Sequence, residues 1–285
     1  MNVYQKITDE VVEQLRAGVI PWERPFVNNF KGAINYVSRR PYSLLNTMLL
    51  RRSGEYLTFN QIQALGGRVK AGAKAEFVVF FKQVERTEVI DGETVEKGFP
   101  LLRYYNVFHI DDVEGIESRL DSEPLPEVAS NVSCVDEALN GYLGREGISV
   151  EECAEGDPRY LPASDVIRMP GMERFISTEH YYSVLLHEMI HSTGKSGRLD
   201  RGLEENREGD ENYSREELVA EMGSVMAGRE LGIGNARTQN NSAAYIQGWI
   251  DALGGDPKMV VWAAGRAEKA VKFMLGDGDR TSMQS

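Results

Sequence analysis

At 285 residues the chain has room for two ordinary domains, or one large one, and for a sizeable core. With 41% hydrophobic and 27% charged residues and a mean hydropathy of −0.38, its composition is that of a soluble globular protein, and no apolar run approaches the roughly 18 residues of a membrane-spanning helix. The net charge of −12 is uneven: residues 1–108 hold 15 Lys and Arg against 11 Asp and Glu, whereas residues 109–285 hold 17 against 33, which suggests two domains with different partners.

Two cysteines, Cys134 and Cys153, make no disulfide framework. With an N-terminus that lacks the basic and apolar regions of a signal peptide, they point to a reducing cytoplasm.

In chain order, Val3, Ile7, Val11 and Leu15 recur every four residues and predict a helix over 3–18, closed by Gly18. The stretch Pro21–Pro25 breaks regular structure. Helices are expected over Ser43–Arg52 and over Thr58–Leu65, the latter with Thr58 as N-cap and Gly66-Gly67 at its end. Ala75–Gln83 and Leu101–Ile110 are rich in β-branched and aromatic residues and read as strands, with Asp91-Gly92 as a hairpin signal between them. Glu114–Ser130, with Pro124 and Pro126 among acidic residues, is the linker candidate.

Beyond it the pattern is mostly helical. Helices are expected over Val132–Arg145, Thr178–Thr193 with Thr178 as N-cap, Arg215–Leu231 capped by Ser214, Asn241–Leu253 and Pro257–Leu275. A short strand, Val166–Met169, lies between Pro162 and Pro170. The expected fold class is therefore α+β. Residues 1–115 form an N-terminal α+β domain, 116–131 a linker, and 132–285 a mostly helical domain.

Between residues 20 and 82 there are 10 basic residues to 3 acidic ones, interleaved with aromatics: Trp22, Arg24, Lys31, Tyr36, Arg39, Arg40, Tyr42, Arg51, Lys70 and Lys74. Cations neutralise phosphates, and aromatic faces stack on unpaired bases without reading sequence. The composition suits single-stranded nucleic acid better than duplex, because no helix-turn-helix or zinc-finger spacing is present. The same aromatics would also serve as core.

His187-Glu188-Met-Ile-His191 is the strongest local signal. Histidines four apart project from one helix face and can grip one ion. Glu188 is rotated by about 100° from His187, close enough to hold a water beside the ion and accept its proton. Val184, Leu185, Leu186, Met189 and Ile190 surround them with apolar neighbours, so the helix is expected to be buried. A third ligand is needed. The metzincin pattern would place a histidine at position 197, which is glycine, so that class is excluded and Gly194 reads as a helix terminator. A carboxylate pair, Glu217 and Glu221, lies four apart on a later helix. This arrangement resembles that of the gluzincins, which implies Glu217 as a metal ligand and Glu221 as support for a ligating histidine. Glu216 is expected to face solvent. Tyr213 is a candidate oxyanion donor or a capping residue, and His180 is expected to be structural.

The landmarks as a set resemble the ArdC-type antirestriction proteins, related to the TraC primase-like proteins of conjugative plasmids. The resemblance is carried by Tyr56-Leu-Thr-Phe-Asn-Gln-Ile-Gln-Ala-Leu-Gly-Gly67, Val69-Lys-Ala-Gly-Ala-Lys74 and Arg103-Tyr-Tyr-Asn-Val-Phe108. Further on it is carried by Asp165-Val-Ile-Arg-Met-Pro170, His187–Gly194, Arg198-Leu-Asp-Arg201 and Glu217–Glu221. Where the family reads roughly Tyr-Arg-Gly-Ile-Asn, this chain keeps Tyr42 and Asn46 around Ser43-Leu44-Leu45. The resemblance implies an N-terminal domain that binds single-stranded DNA, with Asn46 among its contacts, and a zincin-like metallopeptidase domain. It implies zinc, with manganese as the alternative, and a role on mobile elements in protecting incoming DNA from restriction. Peptidase action would fall on a protein substrate such as a restriction enzyme or a regulator. The competing readings are a non-enzymatic DNA-masking protein with a structural metal, and a regulatory metallopeptidase without affinity for DNA. No membrane partner is expected.

Overall fold

Ile7, Val11 and Leu15 are all buried along one stripe of helix α1 (Val3–Arg16), as the four-residue spacing requires. The computed structural model describes residues 2–23, 32–90, 93–120, 132–154, 156–203, 211–233 and 243–276, with the side chains of 83–90, 93–100, 132–134, 211–213 and 243–244 left aside. The chain divides into two compact units, Met1–Val11 with Phe26–Pro126, and Val12–Pro25 with Glu127–Ser285. The division passes through α1, so a short early segment belongs with the later unit.

The first unit contains β1 (Ala33–Asn35), α2 (Leu44–Leu49), β2 (Gly54–Thr58), α3 (Phe59–Ala64), β3 (Arg68–Val69), β4 (Glu76–Ile90), β5 (Glu93–His109) and β6 (Val113–Glu114). Its main sheet has the order β1-β2-β5-β4, parallel between β1 and β2 and antiparallel elsewhere. Tyr56 and Leu57 are neighbours in β2 and point to opposite faces, and each seeds a core. One core holds Ala33, Leu50, Tyr56, Val78 and Val107, and the other Tyr36, Leu57, Ile62, Ile110 and Val113.

Thr58 caps α3 with Gln61 as its reciprocal partner, completing a capping box. Helix α2 is shorter than expected and ends at Leu49, after Ser43 accepts a hydrogen bond from Asn46 N at its start. The β4–β5 ribbon is longer than its apolar pattern, pairing from Glu76 with Val107 out to Ile90 with Glu93. The outer half, Glu85–Gly98, is polar, and a ladder needs no one-sided apolar alternation to continue. The Asp91-Gly92 turn signal falls outside the described residues. Strands β1, β2, β3 and β6 were not expected, because two to five residues leave too short a pattern to read.

The second unit is built from α4 (Val132–Glu146), β7 (Ser149–Glu152), β8 (Arg159–Leu161), β9 (Val166–Met169), α5 (Thr178–Ser192), α6 (Glu211–Glu230), α7 (Ala243–Gly255) and α8 (Met259–Leu275). Its sheet order is β7-β9-β8, with β7 parallel and β8 antiparallel to β9, so β8 is an edge strand. Ser177, rather than Thr178, caps α5, its hydroxyl accepting from His180 N at 3.1 Å. Helix α6 begins at Glu211, which places Ser214 inside the helix instead of at its cap.

Two features set α5 in place. Arg198 donates to both oxygens of Asp165 at 2.9 and 2.7 Å, to Glu146 at 3.1 Å and to the carbonyl of Ser192 at 2.9 Å, tying the end of α5 to α4 and the turn before β9. Helix α6 packs against α5 where Gly223 faces Ile190; a Cβ at Gly223 would lie 3.0 Å from that side chain. Close approach there brings the first turns of α6 to the histidines of α5. Among the described residues, no helix is long and apolar enough to cross a membrane.

Candidate metal centre

His187 and His191 lie on successive turns of α5, and their Nε2 atoms stand 3.1 Å apart. From α6, Glu217 places Oε2 3.5 Å from His187 Nε2 and Oε1 3.4 Å from His191 Nε2. Among the described residues these three are the only cluster of potential metal ligands, with donor atoms all within 4.8 Å of one another. An ion bonded at about 2.0–2.1 Å to each atom of a tetrahedral set separates the donors by about 3.3–3.4 Å. The donor set therefore fits a divalent ion: two imidazoles and one carboxylate, with room for a fourth partner.

Each histidine has a carboxylate behind it. His187 Nδ1 is 3.9 Å from Glu221 Oε1. His191 Nδ1 is 3.1 Å from Glu216 Oε1; with Nε2 turned toward the donor cluster, Nδ1 is assigned the proton and donates it to that carboxylate. Glu216 does not face solvent. It is 5% exposed and gripped by Arg201, whose Nε donates to Oε2 at 2.8 Å and whose Nη2 donates to Oε1 at 2.7 Å. Arg201 also donates to Thr193 Oγ1 and to the carbonyl of Ile190, both at 2.8 Å.

Gly194 lets this guanidinium in. A Cβ there would meet Arg201 at 2.8–3.0 Å, so the glycine serves close approach as well as ending the helix. Gly197, which occupies the metzincin histidine's position, sits at φ +88 in a turn, where glycine is strain-free.

The electrostatics follow the contacts. Burial alone would lower the pKa of His191, but hydrogen bonds to Glu216 and Glu217 outweigh it and raise the value to about 10. His187 is raised in the same way, chiefly by Glu217 working against burial. Burial pushes the Glu217 carboxyl up, yet the two histidines hold it well below the usual carboxylate range.

Glu188 is buried one residue after His187, and its Oε2 accepts the backbone N–H of Tyr160 on β8 at 2.6 Å. It lines a cleft of about 700 Å³ together with His187, Glu217, Glu221, Phe175, His180, Tyr245 and Trp249. Tyr213 lies on α6, but its side chain is outside the described residues. Tyr245 of α7 brings a phenol to the cleft wall, and nothing in the local sequence links it to the histidines. His180 also lines the cleft; its ring packs edge-on to Phe175 at 5.5 Å, and its buried Nδ1 has no hydrogen-bond partner among the described residues.

The residues expected to contact DNA separate into several groups. Trp22 is buried in the second unit, edge-on to Trp249 at 6.1 Å. Tyr36 is buried and donates its hydroxyl to the carbonyl of Glu117 at 3.1 Å. Asn46 is buried, donating to the carbonyl of Val79 at 2.9 Å and accepting its N–H at 2.7 Å, and so closes the β4 edge. All three are buried rather than presented at the surface. Arg39 pairs with fully buried Glu55, and Arg51 with Glu10. Tyr42 is half-buried, and Arg40, Lys70 and Lys74 are exposed. Arg24 and Lys31 fall outside the described residues.

Comparison with known proteins finds two families along the chain. The N-terminal domain of anti-restriction factor ArdC matches residues 1–108, and a zincin-like metallopeptidase family matches residues 137–266. The crystal structure of antirestriction ArdC protein from plasmid R388 in its metal-free form superimposes with a TM-score of 0.73 at 30% identity, covering 96% of this chain and 97% of that one. Its Mn(II)-bound form gives 0.72 at 29% identity over the same shares. Among curated proteins, DNA primase TraC of Escherichia coli is 30% identical over 294 residues, which is 95% of this chain. This chain spans only 27% of that protein's length, and 20% of a second TraC primase that is 31% identical. The Sinorhizobium fredii protein y4eC is 27% identical and is covered over 91% of its length.

Proposed function

The chain belongs to the ArdC antirestriction family, and from that premise we propose that it shields incoming DNA from restriction by binding the single strand and hydrolysing a protein gathered there. One observation carries the hydrolytic half: His187, His191 and Glu217 converge, and His187 and Glu217 share a cleft with Glu188. His187 Nε2, His191 Nε2 and a Glu217 oxygen would hold the ion. Zinc suits the two-imidazole, one-carboxylate set, and manganese is the alternative suggested by the R388 relative. A divalent ion at this place supplies Lewis acidity and makes water a nucleophile near neutral pH.

The rest falls to the chain's own side chains. Glu216 and Arg201 fix His191, and Glu221 stands behind His187. Glu188, steadied by the Tyr160 N–H, is placed to take a proton from the attacking water and return it to the leaving amine. Phe175 and Trp249 supply apolar walls to the cleft.

DNA binding by the first unit would concentrate the second on proteins assembled on DNA in the cytoplasm. The test is a restriction challenge in cells that carry the wild type or Glu188→Gln. Protection that survives intact in Glu188→Gln, with metal binding retained, removes hydrolysis from the account and leaves DNA masking.

A further inference from the structure

We propose that one face of the β4–β5 ribbon, formed by Tyr42, Phe80 and Tyr105 with Lys82 and Arg103, is the platform on which single-stranded nucleic acid stacks. This rests on the reading that the first unit binds single strands, and it gives that binding a location that keeps Tyr42 but otherwise turns to residues the composition did not single out.

Residues directly opposed in an antiparallel pair share a face. Val78 lies opposite Tyr105, and Phe80 opposite Arg103; Lys82, two residues on, continues the same face. At its inner end this face is covered, with Val78 in the core beside Tyr56. Across the pair from Val78, Tyr105 is 44% exposed, and one step further out Phe80 is 48% exposed, which is costly for large rings with nothing to cover.

The rings form a continuous series. Tyr42 meets fully buried Tyr56 at 6.4 Å, Phe80 meets Tyr42 at 6.5 Å, and Tyr105 meets Phe80 at 6.0 Å. Its inner end is anchored in the core, and the hydroxyl of Tyr42 accepts from Asn35 Nδ2 at 3.3 Å. An anchored series of exposed π-faces offers successive bases a surface that requires no particular sequence.

Charge points to the same occupant. Arg39, Arg51, Arg52 and Arg68 are neutralised by Glu55, Glu10, Asp112 and Glu114. Arg103 and Lys82 are exposed, and among the described residues neither has an ion pair. The acid on the inner part of the face, Glu76, is already engaged by Arg52 and the Tyr56 hydroxyl. On the reverse face Phe81 and Tyr104 are also exposed, at 56% and 48%, but there the cation comes from the chain itself: Lys6 of α1 sits over Phe77 at 4.3 Å and over Tyr104 at 5.3 Å. A peptide adding as a strand is disfavoured at this place, because Asn46 already pairs with both backbone groups of Val79 on the β4 edge.

The test uses the full chain and a fluorescent oligothymidylate, with anisotropy read across a salt series. The wild type is expected to bind. Phe80→Ala with Tyr105→Ala should weaken binding at least tenfold while far-ultraviolet circular dichroism and the melting profile hold, and Tyr105→Phe should bind as the wild type does. Should the double variant lose its fold, Arg103→Gln decides, with a salt slope expected to fall by about one charge. If the wild type fails to bind, the DNA-binding reading falls and the platform with it. If the wild type binds and Phe80→Ala with Tyr105→Ala binds equally well, the platform is wrong while DNA binding stands. If Arg103→Gln leaves the slope unchanged, the platform is overturned. A double variant that loses only self-association would overturn it in favour of a second copy of the chain.

Discussion

His191 Nδ1 faces a buried Glu216 carboxylate at 3.1 Å, and Arg201 grips that carboxylate through two nitrogens at 2.7 and 2.8 Å. The carboxylate fixes both the orientation and the tautomer of an imidazole whose other nitrogen points at His187 and Glu217. Glu216→Gln keeps the shape but removes the charge. It should weaken binding of a divalent ion by about 10–100-fold and, by leaving the buried Arg201 without its charge partner, also lower the melting temperature in chelator. Isothermal titration with zinc and with manganese measures this, and equal affinities would reduce Glu216 to a structural role.

The space at Gly194 gives an independent handle on the same network. Gly194→Ala puts a methyl group within 3 Å of the Arg201 guanidinium. Overpacking of that kind costs about 1–3 kcal/mol, and here the strain displaces the arginine that holds Glu216. Both the stability of the metal-free protein and its metal affinity should fall. A loss of stability with unchanged metal affinity would mean that Arg201 does not orient His191.

This network also marks the limit of what the sequence discloses. The pair His187 and His191 is legible because both residues sit on one helix, where spacing dictates geometry. Glu217 was reached only through a resemblance, since an i,i+4 acidic pair on an isolated helix usually faces solvent. Glu216 was misread for the same reason. Its burial depends on Arg201, fifteen residues earlier, and on the packing of Gly223 against Ile190, and neither leaves a periodic trace.

The first unit teaches the complementary lesson. Strong local signals such as the Thr58 N-cap and the apolar stripe of α1 appear in the structure where the pattern puts them. Aromatic and basic composition did not distinguish surface from core, so Trp22 and Tyr36 proved buried whereas Phe80 and Tyr105 proved exposed. Burial of an aromatic is decided by what packs on it from distant chain.

Asn46 separates a structural role from a DNA contact. Truncation to alanine leaves the N–H and the carbonyl of Val79 without partners, which costs about 1–3 kcal/mol. Asn46→Ala should therefore lower the unfolding midpoint in urea and leave single-strand affinity of the folded protein unchanged. A large loss of affinity with normal stability would return Asn46 to the DNA surface.

The Asp165–Arg198 pair predicts an acid-sensitive step. Burial raises the Asp165 pKa, but hydrogen bonds from Arg198, Tyr160 and Lys195 outweigh it and bring the value to about 2. A carboxyl depressed in the fold contributes its full stability above its unfolded value near 4 and loses it as pH falls toward 2. Asp165 has φ 58, a conformation asparagine also tolerates, so Asp165→Asn isolates the charge. The variant should be less stable by about 1–3 kcal/mol at pH 6, with the difference shrinking between pH 4 and pH 2. A difference constant across that range would assign the loss to packing.

The central claim, that His187, His191 and Glu217 together hold a divalent ion, is tested most directly by anomalous diffraction from crystals grown with zinc or manganese in excess. The account predicts one strong peak within bonding distance of His187 Nε2, His191 Nε2 and a Glu217 carboxylate oxygen. A centre without a peak, or a peak whose ligands leave out Glu217, would contradict it.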